Sequence, residues 1–352
     1  MSIKDQTWRM PAAYLKVFLQ HAAAENLPLS ALLKGTGLVL DDLQQSDQPV
    51  SLDDTRQVLS NVTRIMGAGW HLSLGPRLTT PSHGPLGFAV VTAPTLGAST
   101  DVILRFIGIR GPFLWLTGVQ EEDQFVIRLY ETTGLGQQRE TLIELALLSL
   151  QGLLERPLGR ELTDARMSFG YAAPAYREKL EQAFHPHLVF NASGHSLRFP
   201  AAWLEEPCAM YDEAMHRYLL MRCEEDMRAA LGIMPAEISV RQALLSRKGR
   251  LPGLTEIAAS QHVSPRTLIR RLKRGGTSYR SILDDVRKTL AVDYLLHSEQ
   301  SVSQIAYRLG YQDPSNFGRA FRAWFGVSPG VYRKRGVERP QLTVGDPGSS
   351  PG

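Results

Sequence analysis

Arg266, Ile269 and Arg270 lie within the ten residues PRTLIRRLKR that follow Ser264. A guanidinium is a planar fork of donors that grips two acceptors at once, and the isoleucine beside it offers a branched apolar contact. On a helix entering the major groove of a DNA duplex, that fork takes guanine O6 and N7, worth about 1–3 kcal/mol of discrimination, and the isoleucine meets a thymine methyl. Thr267 stands with them at the start of the helix. Arg271 and Arg274 stand further round, where a phosphate oxygen is the natural acceptor. Ser315, Asn316 and Arg319 form a second set, 49 residues after Arg266, Thr267 and Arg270. For any one of these residues, a solvated surface position is the ordinary explanation. That explanation is stronger for the second set, which carries fewer charges.

The argument for more than surface charge lies in the elements that would present them. LTEIAASQHVSPRTLIRRLKR, from Leu254 to Arg274, returns 48 to 49 residues later as VSQIAYRLGYQDPSNFGRAFR. In the first copy Leu254, Ile257, Ala258 and Gln261 recur at three- and four-residue spacing, one face of a short helix. Ser264 and Pro265 open a second helix, since a serine hydroxyl accepts from an orphan amide and proline at the first position loses no bond; Asp313 and Pro314 repeat the device. Leu268 and Leu272, or Phe317 and Phe321, are four residues apart and therefore stack on one face, leaving the arginines on the other. Gly275 and Gly276 end the first of these helices and Gly326 the second. Tyr279 to His297 carries a continuous apolar stripe and predicts a long helix linking the two helix-turn-helix units.

From 254 to 335 the chain resembles the AraC/XylS family of bacterial transcription regulators, on the strength of the duplication, IAYRLGY, the Phe317/Phe321 pair and GVSPGVYR ending at Arg333. One departure is His262, where the equivalent of Gly310 is expected; a histidine enters the left-handed conformation less readily, so the first turn is expected to be strained. The resemblance implies base contacts from Arg266, Ile269 and Arg270, with double-stranded DNA, a small-molecule effector, RNA polymerase and a possible second copy of the chain as partners. The stretch containing GPLGFAVVTAPTLGASTDVILRFI is more loosely similar to the N-terminal effector domain of one branch of the family, often labelled arabinose-binding-like. That label reflects fold kinship and does not make arabinose the ligand.

Charge supports the division. The 352 residues carry a net +4, but 236 to 340 holds 19 Lys and Arg against 8 Asp and Glu, or +11, and the remainder, 20 against 27, holds −7. A basic C-terminal part suits a polyanion. Two cysteines, Cys208 and Cys223, are too few for a disulfide framework, and no leader-like N-terminus is evident, so a cytoplasmic protein is expected. The most apolar run, Leu142 to Leu154, is interrupted by Glu144, Ser149 and Gln151, which argues against a membrane span.

No phosphate loop, nucleophile elbow or zinc-protease motif occurs, so neither an enzyme nor a cofactor is expected. His185 and His187 lack a third ligand for a metal. A reactive cysteine beside such a DNA-binding half would instead point to DNA-alkylation repair, with Cys208 as the candidate nucleophile. A ligand-independent DNA-binding protein is the other alternative.

Along the chain, helices are expected over Pro11–Glu25, Leu52–Met66 and Leu96–Ile109, and strands over Phe113–Val119 and Phe125–Tyr130 as a hairpin. A helix follows at Gln138–Leu154, then strands near 166–171, 188–190 and 196–199 with a helix after Pro174, all paired antiparallel. The expected fold is an α+β sensing domain over 1–205, a connecting helix within 206–235, and an all-α domain over 236–338 with two helix-turn-helix units joined by a linker helix. In the connecting helix Met215, Tyr218, Leu219, Arg222 and Cys223 form the expected stripe. RKGRLPG reads as a basic loop, and 339–352, poor in apolar residues, as a disordered tail. Phe88, Phe106, Phe113 and Trp115 are candidates for lining an effector pocket, against the ordinary explanation of core packing.

Overall fold

The computed structural model describes residues 9–45, 48–111, 113–131, 135–233, 236–245, 251–298 and 300–335. The basic stretch 247–250 and the tail 339–352 lie outside them. Two compact units divide at Ile233 and Met234.

The first unit is α+β. It runs β1 (Arg9–Met10), α1 (Ala12–Ala24), α2 (Leu29–Leu32), α3 (Leu40–Gln45), β2 (Val50–Ser51), α4 (Leu52–Met66), α5 (Pro85–Val91) and α6 (Leu96–Phe106). Then come β3 (Leu114–Glu121), β4 (Gln124–Glu131), α7 (Arg139–Leu158), β5 (Arg166–Ser168), α8 (Arg177–Ala183), β6 (His187–Val189), β7 (His195–Pro200) and α9 (Glu213–Ile233). The five-stranded sheet has the order β3-β4-β7-β5-β6. β3 and β4 form the expected hairpin, Glu121 opposite Gln124, with Glu122 at φ 53° in the turn. Pairing is not antiparallel throughout: β5 and β6 run parallel, because the chain crosses through α8 before returning to the sheet. Between the helices of the first hundred residues, β1 and β2 pair, and 3-10 helices cover Trp70–Arg77 and Thr80–His83. Gly87 marks where α5 lies against the second of these turns. A Cβ there would come 2.2 Å from the Thr80 carbonyl oxygen, so no side chain fits without moving backbone.

α7 threads the interior, and two of the polar residues that break its apolar run, Glu144 and Gln151, are held by hydrogen bonds there. Glu144, fully buried, receives the Tyr171 hydroxyl at 2.5 Å and lies 2.5 Å from His71 Nε2. The Tyr176 hydroxyl sits 3.3 Å from both its oxygens. Burial first, and then this carboxylate, push both phenols above their ordinary range, so they remain protonated donors. Gln151 accepts from the His185 amide and donates to the Ala183 carbonyl.

α9, expected as a connector within 206–235, belongs to the first unit. Its His216 Nδ1 lies 2.9 Å from the Ala89 carbonyl, and Glu224 accepts from Arg105 at 2.8 Å. The stripe read there is buried only in part. Leu219 and Cys223 are buried while Met215, four residues before Leu219 in the first turn, and Tyr218 are exposed.

The second unit is all helical: α10 (Ala236–Leu245), α11 (Leu254–Ser260), α12 (Pro265–Arg274), α13 (Tyr279–His297), α14 (Val302–Arg308), α15 (Pro314–Phe325) and α16 (Pro329–Arg335). One core unites Val240, Leu244, Ile257, Leu268, Leu272, Val286, Leu290, Ile305, Phe317 and Phe321. The caps follow the sequence chemistry: Thr267 N donates to Ser264 Oγ at 3.1 Å, Ser315 N to Asp313 Oδ1 at 2.8 Å, and Ser301 and Gln304 exchange reciprocal bonds. Each such cap stabilises by about 1 kcal/mol.

The two turns differ as expected. Gly310 has φ 80° and His262 φ 53°, so a histidine carries the left-handed conformation that a glycine carries in the second copy. We expect His262→Gly to raise the stability of this unit by about 1 kcal/mol, a rise of ~4 °C in its melting transition. An unchanged or lowered transition would show that the histidine is not strained.

Candidate nucleic-acid interface

α12 and α15 are the second helices of the two helix-turn-helix units. Ser264 and Pro265 fix the start of α12, and Leu268 and Leu272 pin its inner side to the core, which turns the opposite side outward by necessity. Arg266, Ile269, Arg270, Arg271 and Arg274 are all exposed there, and Ile269 is an apolar side chain left 42% exposed. Thr267 is half-buried, its hydroxyl 2.9 Å from Ser264 Oγ at the cap. Its place is therefore at the edge of the face. Among the described residues no carboxylate forms an ion pair with any of these four arginines. Three cations in the last turn of α12 also face its own orphan carbonyls, an arrangement the helix dipole favours.

On α15, Ser315, Asn316 and Arg319 are exposed over the buried Phe317 and Phe321. Arg319 Nη2 donates to Asn316 Oδ1 at 2.6 Å, so two candidate readers are held together as one polar pair. The Asp313 carboxylate, one turn below, accepts from the Ser315 amide and leaves that serine hydroxyl free of its own cap. The two faces thus differ: one strongly cationic with an apolar residue in its middle, the other a compact hydrogen-bonding surface.

Two residues whose spacing gives no warning hold these faces in position. Arg287, on α13, donates from Nε to the Leu309 carbonyl at 2.9 Å and from Nη2 to the Gly310 carbonyl at 3.3 Å, with its guanidinium 4.4 Å over the Tyr311 ring. It ties the linker helix to the turn of the second unit. Arg333, on α16, donates to the carbonyls of Leu295 at 3.0 Å and Gln300 at 2.7 Å, and reaches those of Tyr294 and Ser298. One guanidinium therefore satisfies the carbonyls at the end of α13 that a helix leaves unpaired. Its membership of GVSPGVYR was visible in the sequence, but its task was not.

Neither cysteine sits in the surroundings that activate a nucleophile. Cys208 and Cys223 are both buried, and burial raises both thiols, Cys223 to about 11 with Asp226 assisting. Nucleophilic cysteines need the opposite shift. Of the residues proposed for an effector pocket, Phe106 and Trp115 are buried, Phe88 is exposed, and Phe113 lines a cavity in the first unit. No helix among the described residues is long and apolar enough to cross a membrane.

Two helix-turn-helix units on one shared core, with the polar faces of their second helices outward, define a DNA-binding protein of the duplicated helix-turn-helix class. Residues 27–208 match the family described as the arabinose-binding domain of AraC transcription regulators, and residues 257–335 match a helix-turn-helix domain family. The ornithine utilization regulator of Pseudomonas aeruginosa is 31% identical over 92% of this chain and 96% of its own. The regulator VirS of Mycobacterium tuberculosis is 29% identical over 72% of this chain and 75% of its own. The crystal structure of the regulator CdpR from Pseudomonas aeruginosa covers 92% of this chain and 98% of its own, at 21% identity and a TM-score of 0.45. The chain belongs to the AraC family of transcription regulators.

The two arginine roles separate by measurement. Arg270→Ala is expected to cost about 1–3 kcal/mol on the preferred site and to relax base preference at one position. Arg274→Ala is expected to weaken all duplexes alike and lower the slope of log K against log salt by about one. Binding of both variants to the preferred and to scrambled duplexes, titrated in salt, decides; unchanged base preference in Arg270→Ala removes it from the readers.

Proposed function

We propose that the second unit reads base edges in two successive major grooves, α12 through Arg266, Ile269 and Arg270 and α15 through Ser315, Asn316 and Arg319. Arg271 and Arg274 hold phosphates, and Thr267 lies at the rim of the contact. The observation that carries this reading is the exposed face of α12, four guanidiniums without a carboxylate partner among the described residues around a bare isoleucine. A protein surface that needed only solubility would intersperse both signs of charge.

In this reading the first unit binds a small-molecule effector. Binding shifts the balance between conformations that differ in DNA occupancy or in contact with RNA polymerase, and it does so only to the extent that the effector favours one of them. A second copy of the chain is the remaining partner, and the cytoplasm the compartment. One relative is named for ornithine utilization, so an amino acid belongs among the effectors to be tried.

Selection of binding sites from random duplex, with and without a pool of metabolites, tests the whole scheme. It should return a bipartite site whose half-site centres are about 10 bp apart. Inserting about 5 bp between the halves turns them to opposite faces of the duplex and is expected to reduce affinity to that of a single half. Random sequences emerging from the selection, or indifference to the insertion, would contradict reading by both helices.

A further inference from the structure

The first unit contains an apolar cavity between α1, α7 and the β3–β4 hairpin, with Phe18, Phe113, Leu129, Leu145 and Leu153 in its wall. Among the described residues lining it, Arg110 is the one that carries charge, and none is a carboxylate. The free space is about 80 Å³. One water needs roughly 10–15 Å³ on the same measure, so there is room for a chain of several heavy atoms.

Arg110 has no ion-pair partner among the described residues. Its Nη2 donates to the Ser82 carbonyl at 2.8 Å, and its guanidinium stands 5.2 Å over the Tyr14 ring. Its Nε is buried with no acceptor. The adjacent imidazole does not compensate the charge. His83 Nδ1 lies 2.9 Å from the Tyr14 hydroxyl, and burial, then Arg110 and Arg156, hold the pKa of His83 down to about 4. A cation with an unused donor at the edge of an apolar space is costly unless an anion meets it. An ammonium group entering the same space would find no carboxylate among the described lining residues.

We propose that this cavity binds an amphiphilic organic anion, a single carboxylate against Arg110 with an unbranched apolar body lying along α7. The proposal rests on the effector reading above and assigns the ligand class to it. Arg110 directly follows the Ile107–Ile109 turn, and the Cys223 thiol of α9 lies within the field of the same guanidinium. A ligand that draws Arg110 inward therefore acts next to the last helix of the first unit.

Octanoate, octan-1-ol and ornithine distinguish the possibilities, titrated calorimetrically into the full chain, with operator affinity measured in parallel. We expect one octanoate per chain, with octanol bound at least tenfold more weakly. Arg110→Gln should bring octanoate down to the level of octanol. Ala146→Phe, which fills the cavity from α7 and leaves Arg110 in place, should abolish both, and melting curves establish that each variant is folded. Equal affinity for octanoate and octanol, or undiminished binding by folded Arg110→Gln, overturns the proposal. Ornithine binding with octanoate silent overturns it as well but leaves effector control intact. Octanoate binding as described, without any compound altering operator affinity, supports the cavity assignment and removes its regulatory role.

Discussion

Leu268 and Leu272, with Phe317 and Phe321, are withdrawn from solvent into a single core, and the rest of the second unit depends on that burial. A short helix in water is marginal by itself, so α12 and α15 persist because one side of each is held by apolar contact. The same contact decides which side faces outward. Replacing Phe317 or Phe321 by a small residue would cost about 3–5 kcal/mol, comparable with the whole stability of a small domain. The arginines on the far side stand outside that core, exposed and without carboxylate partners among the described residues.

Much of this was legible in the chain itself. The spacing of Leu268 and Leu272, the Ser264–Pro265 and Asp313–Pro314 starts and the glycine stops are local signals, and each is realised as a cap, a face or an end. His262 was legible for the same reason, since the left-handed turn is set by neighbours in sequence. Parallel pairing of β5 with β6 was not, because direction depends on how α8 carries the chain back and not on the strands' own residues. Arg287 and Arg333 were hidden as well. A guanidinium that binds carbonyls 22 or 38 residues away in sequence leaves no periodic trace. The roles of Arg266, Ile269 and Arg270 were proposed from type and spacing, and the geometry adds their common exposure.

The two units handle charge in opposite ways. Inside the first, Glu144 is enclosed with two phenols and an imidazole, so a buried carboxylate is fully engaged. Burying an ion is tolerable on that condition. Arg110 is the exception in the same unit, a cation beside an apolar space with part of its hydrogen-bonding capacity unspent. In the second unit the arginines on the outer face of α12 remain outside, where water screens them until a partner displaces it.

The unlike character of the two reading faces has a consequence for genetics. A single chain that presents a cationic surface around an exposed isoleucine at one end and an asparagine–arginine pair at the other has a head and a tail. In the proposed reading its target sequence has a polarity too, and reversing that sequence at a promoter is not a silent change. Such a protein marks a direction along the chromosome as well as a location.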